Sequence, residues 1–128
     1  MSLLLRSLML LAGMLLSFKS LAIQPGTEFH FNSSCDFKQL TINVRDEHED
    51  NPGYIKFDIK LQSEASARLA QHTKEYINQN MTLYINGVKI TTSPIRDELS
   101  TGNLRVVIDN PTAQKIFPSL LVTQCQQE

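Results

Sequence analysis

An α+β fold is the class this sequence predicts: an antiparallel sheet of about five to six strands, with one long helix packed on one face and a short C-terminal helix. Three observations carry that expectation. Apolar residues recur at period two in several short segments, which is strand spacing. One segment between them changes to the helical period. Asn86-Gly87 joins two alternating runs through a two-residue loop, the strongest short-range hairpin pattern. Strands and helices do not alternate strictly, which sets the chain apart from a doubly wound parallel sheet.

Met1–Ala22 reads as a secretory signal peptide. Arg6 stands near the start, an apolar run spans Leu8 to Leu16, and Ser20 and Ala22 suit the −3 and −1 positions of a cleavage site. The run is shorter than the roughly 20 apolar residues of a transmembrane span, so the mature chain is expected not to insert in a membrane. Cleavage leaves one domain, Ile23–Glu128, of 106 residues (128 less 22). It keeps 10 basic against 13 acidic residues, a net charge near −3. Such a mildly acidic surface argues against nucleic acid or an anionic membrane as a partner, and none is expected. Cys35 and Cys125 are far apart in an exported chain, the pattern of a structural disulfide, and they lack the Cys-X-X-Cys spacing of a redox motif. A periplasmic or secreted location in a bacterium follows.

The elements read as follows. Thr27 to Phe31 alternates Phe29 and Phe31 with Glu28 and His30, a short first strand or a strand-like arm, and Asn32-Ser33-Ser34 breaks it. Leu40, Ile42 and Val44 alternate with Thr41, Asn43 and Arg45 in a strand within Phe37–Asp46. Its partner across the polar turn Asp46–Gly53 is Tyr54–Leu61, with Ile55, Phe57, Ile59 and Leu61 on one side. Ser63 is placed as N-cap of a helix from about Glu64 to Asn78, whose buried stripe is Ala65, Leu69, Thr73 and Tyr76-Ile77. In the hairpin, Met81, Leu83 and Ile85 precede the turn and Val88, Ile90 and Thr92 follow it. Pro94 closes the second strand because it has no N–H to donate. After the loop Arg96–Gly102, Leu104, Val106 and Ile108 mark another strand. Asn110 and Pro111 start a short helix, Thr112–Phe117, that stops at Pro118. Leu120–Thr123 reads as a last strand returning Cys125 toward Cys35.

No catalytic, cofactor-binding or metal-binding set emerges. His30, His48 and His72 fall on a strand, a charged turn and a helix, none beside a recognisable nucleophile. Asp46-Glu47-His48-Glu49-Asp50-Asn51 is dense enough to attract a cation, but its spacing departs from a calcium loop, and a solvated turn explains it. Asn32-Ser33-Ser34 and Asn80-Met81-Thr82 match the glycosylation triplet and read as coincidence. A non-enzymatic protein is the expectation.

From Tyr54 to Phe117 the chain resembles the head subdomain of the first large periplasmic loop of SecD and SecDF, the accessory subunit of the Sec export channel. The likeness rests on the strand Ile55-Lys56-Phe57-Asp58-Ile59, the helix ending at Thr73, the hairpin Leu83-Tyr84-Ile85-Asn86-Gly87-Val88-Lys89-Ile90, the step Ser93-Pro94-Ile95 and the turn at Gly102. Transmembrane helices and the adjoining base subdomain are missing, Asn86 stands where Asp is usual, and the disulfide is foreign to that family. The resemblance implies a SecD head-like binding module that contacts a protein or an extended polypeptide in the periplasm, with Tyr84, Lys89, Thr91, Pro94 and Ile95 contributing the surface around the hairpin. An alternative is a secreted inhibitor of a host or competitor enzyme, acting through Arg96–Gly102 or Asp46–Gly53. A hydrolase assembled from scattered residues ranks last.

Overall fold

Segments with apolar residues at alternate positions do form strands, but pairing sorts them into two sheets rather than one. The computed structural model describes residues 26–45 and 53–125; the expected signal peptide and the acidic turn Asp46–Asn51 lie outside the described residues. The order is β1 Gly26–Phe31, α1 Ser33–Asp36, β2 Phe37–Asn43, β3 Tyr54–Leu61, α2 Ser63–Glu75, β4 Asn80–Ile85, β5 Val88–Pro94, β6 Asn103–Asp109 and α3 Asn110–Leu120.

One sheet has the order β1-β4-β5 and the other β2-β3-β6. The expected single antiparallel sheet is therefore corrected to two three-stranded sheets, and β1 lies parallel to β4, with Phe29 opposite Leu83 and Phe31 opposite Ile85. The cause is the break after Phe31. Asn32 accepts the Ser34 N–H at 3.1 Å and caps the single turn α1, which redirects the chain so that β2 starts a separate sheet. Within that sheet β2 and β3 pair as expected, Leu40 opposite Ile59 and Ile42 opposite Phe57. The inner faces of both sheets, with Ala65 and Leu69 of α2 and Ala113 and Ile116 of α3, share one apolar cluster.

The helices also differ from expectation. α2 has 13 residues and touches one strand of each sheet, β1 and β3, instead of lying along one sheet face. Gln62, not Ser63, is its N-cap and makes no side-chain cap bond; its N–H instead donates to Asp36 O at 2.8 Å. Ala65, Leu69 and Thr73 are buried, whereas Ile77 lies beyond the helix and is 41% exposed. α3 begins at an Asp109 cap whose carboxylate accepts the Thr112 N–H at 2.8 Å, and it runs through Pro118 to Leu120. The expected last strand Leu120–Thr123 is absent: these residues are the helix end and an irregular strap. Pro118 has no N–H to donate to the Gln114 carbonyl and its ring crowds that preceding turn, and the helix ends two residues later. No helix among the described residues is long and apolar enough to cross a membrane.

The Asn-Gly turn forms as its residues dictate, with φ of 52° at Asn86 and 80° at Gly87. A bulge then places Lys89 and Ile90 against Tyr84, so that Leu83 faces Thr91 and Thr82 faces Thr92. Thr82 and Thr92 hydroxyls meet at 2.9 Å on the outer face. Val88 and Ile90 pack against the core as the alternation predicts, but beyond the bulge Thr91, not Thr92, takes the inward position.

Thr73 ties the Arg96–Gly102 loop to α2. It is fully buried, its hydroxyl donates toward Leu69 O at 2.8 Å, and it accepts the Leu99 N–H at 2.9 Å. Thr73→Val keeps the volume and removes that acceptor; urea unfolding is expected to show a loss of about 1–2 kcal/mol and the Leu99 amide to lose its hydrogen-exchange protection. Thr73→Ser is expected to lose about 1 kcal/mol for its buried methyl and to keep that protection.

Candidate functional site

Sequence reasoning placed the functional surface around the hairpin, and the structure distributes those residues over different environments. Tyr84 and Lys89 face each other across β4 and β5 on the outer face. On that face the His30 ring stacks on Tyr84 with centroids 4.5 Å apart and planes at 11°. Glu28 links the pair, with its Oε2 at 3.4 Å from His30 Nε2 and its Oε1 accepting the Tyr84 hydroxyl at 3.5 Å. Thr91 is half-buried opposite Leu83. Pro94 is exposed at the strand end. Ile95 is a core residue at 5% exposure, held by its N–H to Gln79 O and its carbonyl to Asn78 N–H, both at 2.8 Å. The five do not make one surface.

What the sequence did not reveal is a groove of about 420 Å³ between β2 and the end of α3. β2 is an edge strand, and its inward residues Leu40 and Ile42 are only half-buried, while their neighbours Phe57, Ile59 and Leu61 on β3 are buried. The opposite wall is Phe117, Leu120, Leu121 and Val122. Phe117 is 47%, Leu121 67% and Val122 56% exposed, so this end of the core is uncovered. Lys38, at the bulge that starts β2, is the one charged side chain on the lining. The available signal was the apolar run Leu120-Leu121-Val122, which was read as a strand because three residues do not define a period.

The groove's walls are fixed through Asn86. Its Oδ1 accepts the Ser33 N–H at 2.8 Å, and its Nδ2 donates to Ser33 Oγ at 2.8 Å and Ser119 Oγ at 3.0 Å. The hairpin turn thus clamps α1 and α3 together. An aspartate at this position would keep the acceptor and lose both donations. Cys35 of α1 is disulfide-bonded to Cys125, and Asp36 accepts from Arg68 at 2.8 Å.

The ionisable groups have structural explanations. Hydrogen bonds from Thr112 hold Asp109 below the usual carboxylate range, as expected of a helix cap. The hydrogen bond from Arg105 to Asp58, at 2.7 Å, raises the guanidinium on the outer face of β3 and β6. Burial lowers the His72 imidazole, which lies 3.1 Å from the Thr27 hydroxyl and packs edge-on against Phe29; Glu75 offsets part of the effect. Among the described residues no three His, Cys, Asp or Glu side chains gather as a metal site. Comparison with family models, curated proteins and solved structures gives no match.

Asn86→Asp is expected to lower unfolding free energy by about 1–3 kcal/mol in denaturant titration, because Ser33 and Ser119 lose their donor and a half-buried carboxylate is added. For His72 the folded pKa lies below the unfolded value of about 6.5, so the unfolded chain binds the extra proton. Stability is therefore complete above that value and declines as pH falls below it. The slope of unfolding free energy between pH 7 and 5 is expected to be smaller in His72→Gln than in wild type.

Proposed function

We propose that this chain is an exported, non-enzymatic binding module that holds an extended polypeptide by strand addition at the free edge of β2. The observation that carries the reading is the uncovered row Leu40–Ile42 on an edge strand, facing the apolar wall Phe117–Val122. A sheet edge offers N–H and C=O groups that only another extended backbone pairs in register. A chain lying beside β2 points alternate side chains into the groove, and apolar ones complete the core there. Lys38 favours a carboxylate at one end of that segment.

The resemblance to the SecD head supports the same class, since that subdomain is associated with emerging polypeptide, and it adds the periplasm as the compartment. The Cys35–Cys125 disulfide in a small domain is compatible with an oxidising extracytoplasmic environment. Tyr84 and Lys89 remain as a secondary outer-face contact. The groove, rather than the hairpin, is the primary one.

Fluorescence anisotropy with a labelled peptide of alternating valine and threonine, ending in aspartate, tests this on the purified oxidised protein. Saturable binding is expected, weakened about tenfold by Phe117→Ser and by replacing alternate threonines with proline, which removes backbone donors. Lys38→Glu is expected to weaken the aspartate peptide more than an amidated asparagine version. Equal affinity for the proline peptide, or none for any, would overturn the proposal.

A further inference from the structure

The Cys35–Cys125 bridge fastens the strap Leu121–Cys125 that follows α3, and the strap divides two depressions. Ser34 and Val122 line the apolar groove, and the same two residues line a second depression of about 530 Å³ beside His30, Asn86 and Gly87. The dividing wall therefore stands next to the bridge itself.

Little else holds the strap. Leu121 and Val122 donate their N–H groups to Pro118 O and Ser119 O, both at 3.3 Å, and among the described residues Thr123, Gln124 and Cys125 make no backbone hydrogen bond. All five residues are exposed, including Cys125, so a small reductant reaches the bridge. The elements on either side have their own anchors. α1 keeps the Asn86 amide and the Asp36–Arg68 pair, and α3 keeps buried Ala113 and Ile116 and the Ser119 contact to Asn86.

We infer that the Cys35–Cys125 disulfide is a redox latch on the groove. Closed, it holds the strap as the groove's wall. Opened by a dithiol, it frees Leu121–Cys125 while both sheets stay folded, and the groove releases its polypeptide. In the exchange, one thiolate of the dithiol attacks the exposed Cys125 sulfur and Cys35 departs as a thiolate that takes a proton. The second thiolate then displaces Cys125, so two electrons and two protons pass to the protein and the reductant leaves as a cyclic disulfide. The release step rests on the groove reading; the freeing of the strap does not.

Hydrogen exchange with mass spectrometry on the oxidised protein, the dithiol-treated protein and Cys125→Ser separates the two. The Leu121 and Val122 amides, the two strap amides with a backbone partner, are expected to exchange about tenfold faster once the bridge is open, with β3, β4 and β6 unchanged. The valine–threonine–aspartate peptide is expected to bind the opened forms about tenfold more weakly, and Val122→Gly with the disulfide intact is expected to weaken it as well. Unchanged strap exchange, or simultaneous exchange of all segments, would overturn the latch. A freed strap with unaltered peptide affinity would overturn the release step. Binding in neither state would count against the groove reading, and strap exchange alone would then judge the latch.

Discussion

The parallel pairing of β1 with β4 is the constraint from which the rest of the molecule follows. With Phe31 opposite Ile85, the Asn86 N–H continues the ladder to Phe31 O at 2.9 Å. The turn is then carried alongside the start of α1, where its amide meets Ser33. α1 in turn holds Cys35, and through the bridge it sets the position of the strap. Were β1 to join β2 in a hairpin, none of these contacts would exist. The pairing also brings Phe29 and Phe31 together with Phe37, rings of Phe31 and Phe37 meeting edge-on at 5.6 Å, so the two sheets close on one core.

That core is complete at one end and open at the other. β3 carries helices and a strand on its neighbours, and Phe57, Ile59 and Leu61 are buried. β2 receives no such cover, because α3 packs over β3, β5 and β6 and leaves a gap beside the edge strand. Exposed edges are ordinarily blunted by charge or by a bulge. Here Lys38 and its bulge guard only the beginning of β2, and Leu40 and Ile42 are left beside Phe117 and Val122. The same surface that would be an aggregation risk in a bare strand becomes a shaped recess because the strap stands opposite it.

Much of the local structure was legible in the residues. Tyr54–Leu61, the Asn86-Gly87 turn and Asn103–Asp109 follow from period two and from the positive φ of the turn, both of which depend on near neighbours. Pairing was not legible. β1 and β4 are separated by two strands and two helices, and alternation says which residues share a face but not which strand lies beside them. The surface suffered from the same limit. A single bulge at Ile90 turned Thr91 inward, and Ile95 was drawn into the core by backbone bonds to the segment after α2. The groove lies between residues 37–42 and 117–123, so no window of sequence contains it.

The position of Cys125 after every helix and strand of the described residues has a consequence for how the molecule comes into being. A chain emerging with its N-terminus first presents Phe29 and Phe31 with no mate until Asn80–Ile85 has followed, and Cys35 with no mate until α3 has passed. During vectorial synthesis or translocation the β2–β3 pair has its partner early, whereas β1 and Cys35 wait for later segments. The ring closed by the bridge also excludes β1, which sits outside it as a tethered arm. Such an arm is topologically free to leave its own β4 and enter that of a neighbour, the geometry from which exchanged dimers arise.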